Sequence, residues 1–195
     1  MRFNKDSLGK IFLVLWVIVV VTVITFQMAS HLLAMPLPKE VEKVRESLLS
    51  YQNNKEWLYV HIIYDKCSCT NLLIEHLVER KKMKEATEVI MLIGGSSSYE
   101  DQLIKSGFKF VTMKKETVEK EFGIEAAPIL AVINGNGELK YLGGYFKTSA
   151  AKYPKDIEII SHINKGSEVE ALPLYGCAIS DVLKSYIDPL GVSEI

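Results

Sequence analysis

The sequence predicts an α/β sandwich with a mixed central β-sheet, preceded by one apolar N-terminal helix. Two observations lead to this prediction. Between residues 55 and 165, strand-like and helical patterns alternate in the order β-α-β-α-β-α and are followed by a β-hairpin and a last helix. The turn cluster Asn-Gly-Asn-Gly at residues 134–137 is a strong hairpin signal, so the strands on either side of it should pair antiparallel.

Five strands are predicted, and the first two, at residues 58–64 and 88–92, are mostly apolar runs of the kind found in strands buried on both faces. The five strands cover residues 58–64, 88–92, 108–113, 129–133 and 138–142. Apolar residues at helical spacing predict the helices between and after them. These cover residues 68–83, 99–105, 116–122 and 154–163.

The N-terminal part divides into a tail, an apolar span and a linker. Residues 1–10 form a short basic tail, and residues 11–34 form a run of 24 uncharged residues, enough for a hydrocarbon core that needs about 20. The run is longer than the apolar part of a secretory signal and lacks a good cleavage site, so we predict an uncleaved transmembrane anchor. After Pro36 and Pro38, residues 36–54 are predicted to be a linker with an amphipathic helix that packs on the domain, with a solvated stalk as the alternative.

The basic tail should stay in the cytoplasm, because the positive-inside rule acts on short segments while large domains translocate with little regard to charge. The chain would then be a single-pass protein of a bacterial inner or cytoplasmic membrane. Its C-terminal domain would face the periplasm or the cell exterior, an oxidising compartment in which a disulfide-handling pair makes sense.

Composition excludes two other classes of protein. The net charge is −1 with both signs interspersed, so there is no basic footprint for nucleic acid. Three cysteines are too few for the disulfide framework of a small secreted fold. Two adjacent thiols and one distant thiol indicate redox or metal chemistry instead.

The most informative motif is Cys67-Ser-Cys69, which lies directly after the first predicted strand and directly before the first predicted helix. Unpaired backbone N–H groups at a helix N-terminus stabilise a thiolate, and Lys66 adds a positive charge. Cys67 is therefore the candidate nucleophile, exposed at the turn. Cys69 is the candidate resolving thiol, directed towards the body of the domain. The alternative is a pair that stays reduced or holds a metal.

The order of elements, with the cysteines after the first core strand and Pro128 before the hairpin, resembles the thioredoxin fold. It is most similar to the membrane-anchored, outward-facing TlpA/ResA-like branch, over about residues 55–163. Residues 60–67 have that family's strand-to-cysteine spacing, and residues 122–137 are similar to its proline loop and hairpin. Thr70 stands where the family has its second cysteine, so the site is CxC rather than CxxC, as in RedB-like proteins.

The resemblance implies that the Ala127–Pro128 peptide bond is cis and packs against the cysteine pair. The exposed backbone before it would receive an extended substrate segment beside Cys67. His61 takes the place where thioredoxins often bury a carboxylate that handles the proton of the second thiol. An imidazole could do the same, with a satisfied core histidine as the alternative.

Residues 166–195 are predicted to form a C-terminal tail that carries Cys177. One interpretation is an inert, partly buried thiol. The other is that the tail folds back and brings Cys177 near Cys67 and Cys69, as a second resolving thiol or a third metal ligand.

These observations predict a membrane-anchored, outward-facing thiol–disulfide oxidoreductase that works without a cofactor. It would act through Cys67 on a protein thiol or disulfide substrate or on a membrane redox partner, in either redox direction. Two alternatives remain open. One is a copper(I) metallochaperone that uses Cys67, Cys69 and Cys177, since soft thiolates favour copper(I). The other is a non-catalytic docking module that keeps the thioredoxin fold.

Overall fold

The computed structural model describes residues 5–53, 56–95 and 99–188, without the side chains of residues 5–8 and 26–32. The chain divides into two compact units, Met1–Leu33 and Ala34–Ile195. The boundaries predicted after residues 54 and 165 therefore do not separate compact units. The predicted linker and the predicted tail both belong to the second unit.

The first unit contains one helix, α1, at Lys5–Leu32. The predicted anchor, residues 11–34, covers most of this helix and includes residues 26–32, whose side chains are not described. Residues 1–4 of the predicted tail also lie outside the described residues. Among the residues that the structure describes, no helix combines the length and the apolar character that a membrane crossing requires. The anchor and its orientation therefore stay predictions.

The second unit alternates strands and helices as predicted and adds short elements near its C-terminus. Its elements are α2 (Val41–Leu49), β1 (Trp57–Tyr64), α3 (Ser68–Arg80), β2 (Ala86–Ile93), α4 (Glu100–Lys105), β3 (Lys109–Met113), α5 (Lys115–Thr117, continued by a π-helical turn at Val118–Phe122), β4 (Ala126–Ala127), β5 (Ile129–Ile133), β6 (Leu139–Gly143), α6 (Asp156–Asn164), β7 (Cys177–Ala178) and α7 (Asp181–Ile187).

Five strands form the central sheet in the order β3-β2-β1-β5-β6. β1, β2 and β3 run parallel to one another, whereas β5 is antiparallel to β1, and β6 is antiparallel to β5. The predicted mixed sheet is confirmed, and the architecture is thioredoxin-like. A separate two-stranded sheet, β4 with β7, was not predicted.

The central sheet separates two hydrophobic layers, because successive side chains of a strand point to opposite faces. Val60 and Ile62 of β1 pack on one side, in a layer to which α2, α5 and the C-terminal elements contribute. Tyr59 and Ile63 pack on the other side, with α3, α4 and α6. Cys67 belongs to the first of these layers.

Helix α2 is part of the domain and not a solvated stalk. Val44 and Leu48 lie four residues apart on one helix face and are fully buried, whereas Val41 is exposed. The prediction of an amphipathic helix that packs on the domain is confirmed, although Val41 does not contribute to its buried face.

The predicted hairpin joins β5 to β6, and its turn is held by one side chain. The Oδ1 atom of Asn134 accepts hydrogen bonds from the backbone N–H of Asn136 at 3.0 Å and of Glu138 at 2.9 Å. Gly137 has φ +78°, which residues with a Cβ rarely adopt. The Asn-Gly-Asn-Gly signal therefore places the turn correctly.

The C-terminal segment is built into the domain rather than trailing from it. Leu174 and Ile179 are fully buried. The backbone N–H of Met35 donates to the carbonyl of Leu174 at 2.7 Å, and that of Ile179 donates to the carbonyl of Glu125 at 2.7 Å. Strand β7 lies between these two attachment points, so its position is fixed on both sides.

Candidate functional site: a cluster of three thiols

The first wall of the site is the turn from β1 into α3. Cys67 has extended backbone angles and is the residue that precedes the first turn of α3. Its backbone N–H donates to the carbonyl of Tyr64 at 3.1 Å, and its own carbonyl accepts from the N–H of Thr70 at 3.0 Å. The hydroxyl of Thr70 also donates to the carbonyl of Tyr64, at 2.6 Å. Thr70 therefore ties the start of the helix to the end of the strand.

The second wall is the loop before β5. The Ala127–Pro128 peptide bond is cis, as predicted, and both residues are buried. Ala126 and Ala127 form β4 and lie in the same hydrophobic layer as Cys67. The proline loop and the cysteine turn therefore border the same part of the domain.

The third wall is β7, which pairs antiparallel with β4 so that Cys177 lies opposite Ala127. The residue before it, Gly176, has no room for a side chain. A Cβ atom there would lie 1.9 Å from the carbonyl oxygen of Ala127 and 2.6 Å from Cδ of Pro128. The resemblance to the thioredoxin fold implies an exposed backbone edge before Pro128 that would receive a substrate segment. That prediction is wrong for this structure, because the chain's own tail occupies the edge.

The β1–α3 turn, the loop before β5 and strand β7 bring three sulfur atoms together. The Sγ atoms of Cys67, Cys69 and Cys177 all lie within 4.8 Å of one another, and none of the three cysteines is in a disulfide. The prediction that the tail folds back towards the pair is confirmed, and Cys177 is not an isolated thiol. Cys67, Cys69 and Pro128 lie at one site with it.

Solvent exposure in the cluster differs from the expectation. Cys67, the predicted exposed nucleophile, is only 3% exposed. Cys69, which was expected to face the body of the domain, is half-buried, and so is Cys177. As whole residues, Cys69 and Cys177 are therefore more exposed than Cys67.

The ionisation of the thiols also differs from the expectation. The pKa of Cys67 is raised to about 12: the hydrogen bond with Cys177 raises it most, the hydrogen bond with Cys69 lowers it, and burial raises it further. The pKa of Cys69 is raised by its hydrogen bonds with Cys177 and Cys67 and by burial. The predicted lowering of the Cys67 pKa by the helix N-terminus is therefore outweighed inside the cluster.

His61 does not join this site. It lies on β1 between Val60 and Ile62, so its side chain points to the opposite face of the sheet from theirs. Its Nδ1 atom lies 2.8 Å from the hydroxyl of Tyr145, and its Nε2 atom lies 2.9 Å from a carboxylate oxygen of Glu88. The predicted auxiliary role in proton transfer to the thiols is therefore corrected, and the alternative of a satisfied core histidine holds.

A buried ionic network surrounds His61, and sequence reasoning missed it. Arg80 forms ion pairs with Glu88 and, through Nε at 2.8 Å, with Asp156, and both carboxylates are fully buried. His76 also contacts Asp156, at 2.8 Å. The available signal was Glu88, the acidic first residue of the otherwise apolar strand predicted at residues 88–92. Because buried charges in proteins are paired, a buried Glu88 predicts a basic partner.

The spacing of the three thiols also suits a metal ion. Three sulfurs around one ion at about 2.3 Å, the usual zinc–thiolate distance, lie roughly 4 Å apart in a trigonal arrangement. The observed separations, up to 4.8 Å, need only a small contraction to match. In the part of the chain that the structure describes, this is the group of His, Cys, Asp and Glu side chains that converges closely enough to hold an ion.

The fold and the cluster define a thioredoxin-like protein with a three-thiol site. The chain belongs to the family described as Domain of unknown function (DUF6436), whose model matches residues 38–172. The match includes Cys67, Cys69 and Pro128 and ends before Cys177. A search of curated proteins finds no match to this sequence.

Solved structures to which this chain is similar are distant from it in sequence. An uncharacterized conserved protein from Geobacillus kaustophilus is 14% identical, with a TM-score of 0.50 over 68% of this chain and 80% of its own. A hypothetical protein from Sinorhizobium meliloti 1021 is 16% identical, with a TM-score of 0.49 over 75% and 90%. The N-terminal domain of PilB from Neisseria gonorrhoeae is 13% identical, with a TM-score of 0.37 over 51% and 81%. At these identities the first of them supports the fold alone.

Proposed function

We propose that this protein is a thiol–disulfide oxidoreductase that acts on a protein partner through its cysteine cluster. The observation that carries the proposal is the convergence of three cysteine sulfur atoms, none of them in a disulfide, within 4.8 Å at the start of α3, beside the Ala127–Pro128 loop. Thiols this close can pass a disulfide between them after small side-chain rotations. Partial exposure of Cys69 and Cys177 gives a partner access.

The reaction is an exchange of two electrons. One thiolate of the cluster attacks a disulfide sulfur of the partner, forms a mixed disulfide and releases one partner thiolate. A second thiol of the cluster then attacks the cluster sulfur of that mixed disulfide and releases the other partner thiolate. The cluster is oxidised to a disulfide, the partner is reduced to two thiols, and the reverse sequence oxidises a partner dithiol.

The test is a redox titration of the full chain in glutathione buffers of stepped ratio, with free thiols counted by alkylation and mass spectrometry. A two-thiol transition with an intramolecular disulfide is expected. The variant that changes both Cys67 and Cys69 to Ala should lose it, whereas Ser68→Ala, at the exposed residue between them, should keep it. A count of free thiols that stays the same at every glutathione ratio would contradict the proposal.

A second function is supported by the same cluster geometry: binding of copper(I) as cargo, as in a metallochaperone. Soft thiolates select copper(I), and three of them at these separations suit a trigonal site. Titration of the reduced chain with copper(I) against a colorimetric chelator is expected to give one ion per chain. Loss of binding in each single Cys→Ser variant supports the site, while weak binding with several ions per chain counts against it. A chain with neither a redox transition nor copper binding would fit a docking module.

We also propose that residues 11–34 anchor the domain in a bacterial membrane, with the domain outside. The support is the 24-residue uncharged run behind a short basic tail. Membership of the TlpA/ResA-like branch, or of RedB-like CxC proteins, belongs to the same proposal. It rests on the position of the cysteines and of Pro128 along the chain.

A further inference from the structure

We propose that ion binding and disulfide formation at the three-thiol cluster exclude each other, so that a partner disulfide releases a bound copper(I) ion by oxidising the cluster. The reduced cluster holds the ion through Cys67, Cys69 and Cys177, and a disulfide between any two of these residues abolishes the site. This inference rests on the two proposed activities, exchange and copper(I) binding, and links them in one redox-controlled site.

The first support is that the ligand set has no spare donor. In the part of the chain that the structure describes, the close group of His, Cys, Asp and Glu ligand atoms at this site consists of the three sulfurs. His61, on the preceding strand, instead contacts Tyr145 and Glu88 on the other side of the sheet. The hydroxyl of Thr70 donates to the carbonyl of Tyr64. A disulfide within the cluster therefore leaves one thiolate and no replacement within this group for the two that are lost.

The second support is that the two states need different distances between the sulfur atoms. Three sulfurs bound to one ion at about 2.3 Å lie roughly 4 Å apart, close to the observed separations of up to 4.8 Å. The two sulfurs of a disulfide lie only about 2.0 Å apart, so the bond takes one pair out of the arrangement that surrounds an ion. Each sulfur of that pair also loses its thiolate charge, and the thiolate is the form that binds a metal.

The surroundings of the cluster favour a soft ion that accepts three ligands. Cys67 belongs to the same hydrophobic layer as Ala126 and Ala127, and Cys69 and Cys177 pack against that layer. The site therefore offers sulfur donors in apolar surroundings, which select copper(I) over ions that prefer oxygen. Zinc in structural sites takes four ligands, one more than the cluster provides. An ion held by three sulfurs loses two of its bonds in a single exchange reaction.

The backbone that carries the three sulfurs is held in place independently of an ion. The pairing of β4 with β7 sets Cys177 opposite Ala127. The hydrogen bonds of Thr70 hold the turn that carries Cys67 and Cys69. Release of the ion can therefore follow from the change at the sulfur atoms, with the strand pairing and the turn kept.

Release accompanies the two-electron exchange with the partner. Two cluster thiolates break their bonds to copper(I) and give two electrons to the partner disulfide, which becomes two thiolates. The two cluster sulfurs join in a disulfide, and the ion leaves as copper(I), because its own electrons take no part in the exchange. In the reverse direction a partner dithiol reduces the cluster disulfide and restores the three-thiolate site.

The experiment loads the reduced full chain with one equivalent of copper(I) in the absence of oxygen and then adds glutathione disulfide. A colorimetric copper(I) chelator is present at a concentration that leaves the reduced wild type loaded. One ion should reach the chelator for every two thiols lost, with thiols counted by alkylation and mass spectrometry. The loaded chain should also lose its thiols at least tenfold more slowly than the copper-free chain, because the ion occupies the thiolates.

Two variants separate the linkage from general thiol reactivity. Cys177→Ser keeps a dithiol but lacks the third ligand, so it should lose copper(I) to the chelator before any oxidation. Added copper(I) should then change its rate of thiol loss less than twofold. Ser68→Ala, at the exposed residue between Cys67 and Cys69, is the matched control that should behave as the wild type.

Three results would overturn the linkage and leave the exchange activity standing: copper(I) that stays on the oxidised wild type, equal rates of thiol loss with and without the ion, or oxidation of a wild type that binds no copper(I). A copper-free wild type that loses no thiols would overturn both the linkage and the exchange activity. The wild-type measurements need no variant, so they decide the proposal even if a substitution impairs folding.

Discussion

Ala127 and Cys177 face each other as the paired residues of the small β4–β7 sheet. This pairing joins the residue before Pro128 to the third thiol of the cluster. The position of the Cys177 sulfur is therefore set by backbone hydrogen bonding rather than by the tail sequence alone. Disturbing the pairing should move one thiol and leave the other two in place.

Gly176→Ala tests this dependence. The added Cβ would overlap the carbonyl oxygen of Ala127, so β7 has to shift away from β4. We expect a loss of about 1–3 kcal/mol in the free energy of unfolding, typical of overpacking. We also expect more glutathione adduct and less intramolecular disulfide after oxidation. Gly95→Ala is the matched control, since its Cβ would meet only Asp65 at 3.4 Å. Equal disulfide yields in both variants would contradict the role of the pairing.

Cys177→Ala should lower the pKa of Cys67 from its value of about 12. The hydrogen bond with Cys177 is the largest cause of that raised pKa, and alanine removes it while the hydrogen bond from Cys69 remains. The measurement is the rate of iodoacetamide alkylation of Cys67 as a function of pH, resolved by peptide. The midpoint of the profile should move to lower pH, in contrast to Ser68→Ala. A midpoint that stays in place would show that burial, not Cys177, raises the pKa.

The buried carboxylates predict how stability depends on pH. Burial alone would raise both pKa values, but hydrogen bonds and ion pairs with His61 and Arg80 lower the pKa of Glu88 from 4.5 to about 2. His76 and Arg80 lower the pKa of Asp156 from 3.8 to about 2. Because these pKa values are lower in the folded state, acid protonates the unfolded chain first. The stabilisation is complete above about pH 4.5 and is lost as pH falls towards 2.

The expected size is about 2–3 kcal/mol for each carboxylate, from shifts of roughly two pKa units. Urea unfolding midpoints measured from pH 6 to pH 2 should fall mainly below pH 4.5. Glu88→Gln should flatten this dependence. A midpoint that is constant down to pH 3 would contradict the lowered pKa values.

Arg80→Ala should be among the most destabilising single substitutions in the domain. It leaves Glu88 and Asp156 buried without their shared cation, and breaking a buried pair costs about 3–5 kcal/mol. Equilibrium unfolding in urea measures the loss. Lys140→Ala is the control, because its partner Glu138 lies at the surface and the midpoint should stay near that of the wild type. Similar midpoints for the two variants would contradict the importance of the network.

The topology proposal has its own test. Alkaline phosphatase, which is active only outside the cytoplasm, can be fused after Ile195. If residues 11–34 anchor the chain behind a cytoplasmic tail, the fusion should be active. An inactive fusion in intact protein would overturn the proposed orientation.

Local patterns predict the elements of this fold well, because each depends on residues near one another in the chain. The apolar run of β1, the Asn134 turn and the cysteines at the start of α3 are examples. The orientation of His61 could not be predicted in this way. β1 is apolar on both faces, so its pattern does not show which face points to Cys67.

Contacts between distant segments were predicted only in part. The sequence left open whether Cys177 approaches the pair, and nothing local indicated that β7 would pair with β4. The glycine at 176 was the available signal, since a glycine beside a strand often marks a close backbone approach. Glu88 gave a similar signal, but its partners Arg80 and His61 lie on other elements.

The place where β7 lies along the chain also affects how the protein should be produced for study. The family match ends at residue 172, before Leu174, Cys177 and Ile179. A recombinant fragment trimmed to the match would lack β7 and α7, leave the outer edge of β4 unpaired and expose Cys67. Such a fragment would carry a dithiol in place of three thiols, and its reduction potential and copper stoichiometry would describe a different site from that of the whole chain.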